Sequence, residues 1–162
     1  MKKTFLSNYP AVRHVLSALA IAFFGFILLN LAFIFDAIYQ GAVRWSVGRF
    51  IPLGPETTPR WFPPMMHFSF AVIIGLLTWL VFRSKMKTIY KAIFMTVPVA
   101  TVLVTVGMFI YPWQVISYSV GTILCAGTLY WFYRTKQPWL YYYAVVLVGL
   151  TLAIYTLMGG EI

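Results

Sequence analysis

Five apolar runs of about twenty residues each leave this chain little choice of fold. At 1.5 Å of rise per residue, about twenty residues cross the hydrocarbon core of a bilayer as an α-helix. The runs extend from Val15 to about Tyr39, from Phe62 to Phe82, from Ile89 to Ile110, from Trp113 to Phe132 and from Trp139 to Met158. Overall, 62% of the 162 residues are hydrophobic and only 9% are charged. A soluble domain carries about 25% charged residues, and a water-soluble fold of this size could not hide so much apolar surface. The sequence therefore predicts an all-α, polytopic integral membrane bundle of five transmembrane helices, forming a single transmembrane domain over residues 1–162.

Two boundaries need argument. The third and fourth runs are separated only by Tyr111-Pro112-Trp113. One helix from Ile89 to Phe132 would be about 66 Å long, twice the hydrocarbon thickness, so the chain must turn at Pro112. At the start, Met1-Lys2-Lys3 resembles the basic region of a signal peptide. The apolar stretch that follows is about 25 residues long, too long for a signal-peptide core, and is read as a retained first span. Within the third span, Pro98 deletes the hydrogen bond to the carbonyl of Phe94 and predicts a kink.

Charge fixes the expected orientation. The 12 Lys and Arg outnumber 3 acids, for a formal net charge of +9. Nine of the basic residues (Lys2, Lys3, Arg13, Arg83, Lys85, Lys87, Lys91, Arg134 and Lys136) fall on one side of the five-span layout, and only Arg44, Arg49 and Arg60 on the other. The positive-inside rule then places the N-terminus in the cytoplasm and the C-terminus outside. A bacterial or archaeal cell membrane is the expected location. The same excess on a soluble chain would suggest nucleic acid, but these basic residues lie in short loops without an exposed stacking surface, and no nucleic-acid role is expected.

Residues 40–61 form the only long connection. Val43, Val47, Phe50 and Ile51 recur at helical spacing with Arg44, Ser46, Gly48 and Arg49 between them. This pattern predicts an amphipathic helix lying in the interface within the first external loop. The prolines that follow, Pro52, Pro55 and Pro59, break it before Pro63 and Pro64 open the second span.

Ionisable side chains inside a span are costly and are functional suspects for that reason. Asp36, near the outer end of the first span, and His67, one turn inside the second, lie at similar depth on the same side. One reading is a pocket under the loop, with Asp36 and His67 as a ligand or acid/base pair and Arg44, Arg49 or Arg60 holding an anionic group. The plainer reading is an Asp36–Arg salt bridge that fastens the loop, with His67 hydrogen-bonded at the interface. Asn30 and Gln114 are polar enough to line a pathway or to bond between helices. Asp36, His67, Arg44, Arg49, Arg60 and Gln114 form the candidate ligand-binding set, and only Asp36 and His67 are catalytic candidates.

No metal or cofactor is expected. His14 and His67 fall at opposite membrane faces, and HExxH and CxxC spacings are absent from the sequence. The single cysteine, Cys125, excludes an internal disulfide and reads as a packing thiol. Small residues at spacing four (Ala18 and Ala22; Ala71 and Gly75; Ser117, Gly121 and Cys125; Gly149 and Ala153) predict close helix packing, either internal or against a partner subunit or second copy. The aromatics Tyr130, Trp131, Tyr133, Trp139 and Tyr141 to Tyr143 read as interfacial anchors, with Trp61, Phe62, Tyr111 and Trp113 at the other face.

Three function classes fit. The first is a non-enzymatic transport or substrate-binding component. In layout (a cytoplasmic N-terminus, a lid-like first loop, and Ala18 and Ala22 in span one) the chain is similar to the membrane-embedded binding subunits of vitamin-uptake transporters. Those usually have six helices, and no ligand motif of theirs is present. The second is an accessory subunit of a membrane complex. The third is an enzyme acting on a lipid or lipid-linked substrate at the outer leaflet through His67 and Asp36.

Overall fold

The computed structural model describes residues 10–50, 58–110 and 113–158. Five helices follow in chain order: α1 Pro10–Val47, α2 Phe62–Arg83, α3 Thr88–Phe109, α4 Gln114–Arg134 and α5 Trp139–Leu157. All five are long and apolar enough to span a membrane, and no strand occurs among the described residues. In hydrocarbon the helix is the natural solution, because it satisfies its backbone N–H and C=O groups within one segment.

α3 is the axis of the bundle. It packs against α1, α2, α4 and α5, whereas α2 packs along α1 and α3 and meets α5 where Phe82 touches Tyr141, and α4 packs along α3 and α5. Seven α3 residues are buried, from Ala92 to Thr105. The helix runs unbroken through Pro98. Three buried threonines on α3 bond within their own helix: Thr96 Oγ1 donates to the Ile93 carbonyl (2.8 Å), Thr101 Oγ1 to Val97 (2.8 Å) and Thr105 Oγ1 to Thr101 (2.6 Å).

Two apolar clusters stack along the bundle. One, toward the α2–α3 and α4–α5 turns, gathers Ile21, Ala92, Phe132, Tyr141, Ala144 and Val145. The other, toward the α1–α2 connection, gathers Phe70, Ile74 and Val97, with Leu28, Ala32 and Tyr39 packed on it. Much of the remaining apolar surface faces outward, Phe23, Phe26 and Phe35 being each more than 60% exposed. Such a surface suits lipid.

The first span differs from its expected form. α1 continues without a break to Val47, 38 residues or about 57 Å. The segment expected to form a separate interfacial helix is helical as far as Val47, but as an extension of α1; a turn follows through Phe50, and Ile51 lies outside the described residues. No proline stands between Tyr39 and Val47 and Gly41 is the one weak helix former there, so propagation, which adds one hydrogen bond per residue, continues. Counting from Asp36, α1 extends about 16 Å further, beyond the first turn of α2.

Helix ends and aromatics are also informative. α4 closes with the N–H of Gln137 bonded to Phe132 O and that of Lys136 to Tyr133 O, the Schellman pattern. Lys136 takes the left-handed position (φ 50°) where glycine is usual. The α2–α3 turn is tied by Lys91 Nζ donating to Phe82 O at 2.7 Å. Tyr141, read as an interfacial anchor, is instead buried between Phe82 and Phe132, while Tyr130, Trp131 and Tyr133 stay exposed.

Of the small residues, Gly149 faces Cys125 and Gly121 faces Leu103, so these serve internal packing, whereas Gly75 opens onto free space. The tightest approach is at Gly25, where an added Cβ would lie 2.8 Å from Cγ2 and 3.2 Å from Oγ1 of Thr96. Thr96 is buried and β-branched, so it cannot swing away. Gly25→Ala should therefore destabilise the bundle by about 1–3 kcal/mol. Denaturation in mixed micelles checks this, and Thr96→Ser in the same chain should recover most of the loss by removing Cγ2.

Candidate functional site

The α1–α2 contact carries the chemistry. α1 and α2 run antiparallel, which brings residues 36–40 of α1 beside residues 66–70 of α2. Each helix supplies one ionisable side chain at this level. Asp36 is 6% exposed and His67 is 3% exposed. His67 Nδ1 lies 2.8 Å from Asp36 Oδ2. Gln40, one turn beyond Asp36, donates from Nε2 to the same oxygen at 2.9 Å.

Around this pair the helices are joined a second time. The Tyr39 hydroxyl and Ser69 Oγ are 2.8 Å apart, and Ser69 Oγ is also 2.7 Å from the Met66 carbonyl. Phe70 stacks obliquely against both His67 (6.2 Å between ring centroids) and Tyr39 (5.9 Å). The ring of His67 is thus held by one hydrogen bond and one aromatic face, which fixes its orientation.

The outward atoms of the pair are unmatched. Asp36 Oδ1 and His67 Nε2 are both buried and have no hydrogen-bond partner among the described residues. With the carboxyl ionised, Nδ1–H donates to Oδ2, and Nε2 is left with a free lone pair. Leaving such groups buried and unsatisfied costs about 1–3 kcal/mol each. In a bundle otherwise poor in buried polarity, that is a cost a purely structural contact would avoid.

The remaining candidate residues are placed elsewhere. Asp36 has no arginine partner: its ion-pair contact is His67, which replaces the expected Asp36–Arg salt bridge. Arg44 lies two turns further along α1 and is exposed. Arg49 stacks on Trp45, with its guanidinium carbon 3.7 Å from the ring centroid. Arg60, before α2, is exposed as well. Gln114 opens α4, a helix that touches neither α1 nor α2, and its side chain lies outside the described residues. Asn30, a candidate for an interhelical bond, instead donates to Phe26 O of its own helix.

His14 packs edge-on against Trp139 (5.1 Å between centroids), twenty-two residues from Asp36 along α1, or about 33 Å. It shares no site with His67. No group of three or more His, Cys, Asp or Glu with metal-binding geometry occurs among the described residues. An apolar groove of about 400 Å³ lies between α1 and α3, lined by Phe24, Ile27, Ile89 and Ile93 among others, away from the pair.

Sequence reasoning named Asp36 and His67 by depth. It missed Gln40, Tyr39 and Ser69, although Gln40 stands at i+4 from Asp36, the spacing that brings side chains together on a helix. Comparison with known protein families, with curated proteins and with solved structures finds no match to this chain.

The Tyr39–Ser69 bond should be a modest fastener beside a strong one. Tyr39→Phe is expected to cost about 0.6 kcal/mol, the average for interhelical hydrogen bonds measured within membranes. The check is denaturation in mixed micelles; a loss several times larger would mean that Tyr39 also orders the Asp36–His67 pair.

Proposed function

We propose that the chain is a non-enzymatic transport or substrate-binding component of a membrane, a single transmembrane domain with Asp36 and His67 at the centre of its binding site. The observation that carries this reading is the pair itself: two ionisable groups buried together between spanning helices, with Oδ1 and Nε2 unpartnered. Ionisable residues at such depth mark ion or substrate pathways more often than they serve packing. Charge asymmetry supports a cytoplasmic N-terminus and, with it, a site near the external face of a bacterial or archaeal cell membrane. Arg44, Arg49 and Arg60 belong to the same face and would meet an anionic group approaching the site from outside.

A second reading has one observation in its favour. A histidine held at Nδ1 by an aspartate, with Nε2 free, is the base-and-orienter arrangement of nucleophilic hydrolases. Among the described residues no hydroxyl bonds to Nε2, and Ser69 is engaged by Tyr39 and Met66. An enzyme built on this dyad would take its nucleophile, water or a lipid hydroxyl, from outside the chain.

The test is purification in mild detergent followed by mass spectrometry of bound metabolites, lipids and proteins. A bound polar metabolite that disappears in Asp36→Asn and His67→Ala variants is the expected result. A stoichiometric protein partner with no metabolite overturns it in favour of an accessory subunit. Turnover of a co-purified lipid that stops in both variants would establish the enzyme instead.

A further inference from the structure

We propose that Asp36 and His67 together form a proton-binding site that exchanges its proton only with the compartment on the α1–α2 side of the membrane. The inference rests on the reading of this pair as the ionisable centre of a transport component, and it names the ion that the centre takes.

The pair has a place to put a proton without breaking its own contact. With Nδ1–H donating to Asp36 Oδ2, an arriving proton from water adds to the lone pair of Nε2. One N–H bond forms, one O–H bond of hydronium breaks, and water is left behind. The net charge of the pair goes from minus one to zero.

Among the described residues no other ionisable group competes at this level. From α1, the facing side chains are Gln40, which is neutral, and Tyr39, whose hydroxyl is engaged with Ser69. Arg44 lies two turns away and is exposed. α2 contains one further ionisable residue, Arg83, at its opposite end, and Arg60, just before the helix, is exposed. On α3, Tyr90 and Lys91 also sit at the far end. α5 carries Tyr141, Tyr142 and Tyr143 at the far end, where it meets α2 at Phe82, and its Tyr155 is exposed.

Sidedness follows from the packing beneath. Immediately toward the α2–α3 end, Phe70, Ile74 and Val97 form a buried apolar layer with Leu28 and Ala32 packed on it. At the level of this layer the buried Thr96 hydroxyl is committed to the Ile93 carbonyl of its own helix. A second apolar layer around Ile21, Phe132 and Val145 follows. Toward the α1–α2 connection, by contrast, His67 is only five residues from the start of α2, about 7 Å.

The sequence makes the test clean, because the chain has one aspartate and two histidines, and exposed His14 sits at the other end as an internal reference. The full chain, labelled with ¹⁵N-histidine and reconstituted in vesicles sorted to one orientation by a C-terminal tag, is followed by NMR. Each side is acidified in turn with an impermeant buffer. Acid on the α1–α2 side should move the His67 Nε2 signal to its protonated position and leave His14 unchanged. Acid on the other side should move His14 alone. In Asp36→Asn, with the His14 response intact as the sign of a folded chain, the His67 response at the same acidity should be lost.

A His67 signal that answers to both sides, or to the far side, overturns the one-sided site. A signal that answers to neither, or that persists unchanged in Asp36→Asn, overturns proton binding by the pair. In each case a bound metabolite retained by the wild-type chain and lost from the Asp36 and His67 variants would leave the proposed function standing.

Discussion

Every contact in this protein is made under one constraint: an unpaired backbone amide in hydrocarbon costs several kcal/mol, so the spans must be helices and can meet only through their side chains. Lipid tails are as apolar as leucine, which removes the usual hydrophobic drive for helix association. What remains is close packing and a few polar contacts. The bundle uses both, the first at Gly25 against Thr96 and the second at Asp36 against His67. They lie on the two faces of α1, one toward α3 and the other toward α2.

This arrangement divides the molecule by chemistry along its length. The end holding the α2–α3 and α4–α5 turns is basic at its rim and apolar inside, with Tyr141 in contact with both Phe82 and Phe132. The α1–α2 end holds the buried ionisable pair and a helix that projects past its neighbours. α2 packs along α1 and α3 and meets α5 only near its other end, at Phe82 against Tyr141.

How much of this was legible in the sequence follows from what each feature depends on. The five spans are a matter of length and hydropathy, so they could be read directly; α2 to α5 keep their expected bounds to within two residues, while α1 is five residues longer at its start and eight at its end. Asp36 and His67 stood out because charge is rare in such segments. Their contact depends on the rotation of two helices about their axes, which apolar spans hardly encode when both faces are hydrophobic. The same ambiguity hid the role of Gly25, whose closeness to Thr96 is a property of a crossing point, and of Tyr141, which looks like any interfacial tyrosine until the neighbouring Phe132 is in place. The separate interfacial helix was inferred from a periodicity that is real; periodicity does not say where a helix begins, and α1 had no residue to stop it before Val47.

The account stands on the coupling between Asp36 and His67, and a double-mutant cycle measures it. Unfolding free energies of the wild type, Asp36→Leu, His67→Leu and the double variant, taken in mixed micelles, isolate the pairwise energy. The account predicts a favourable coupling well above about 0.6 kcal/mol, the membrane average for interhelical hydrogen bonds, with the double variant more stable than the sum of the single losses allows. Losses that add to within about 0.3–0.5 kcal/mol would contradict it, for then the two side chains would act as strangers.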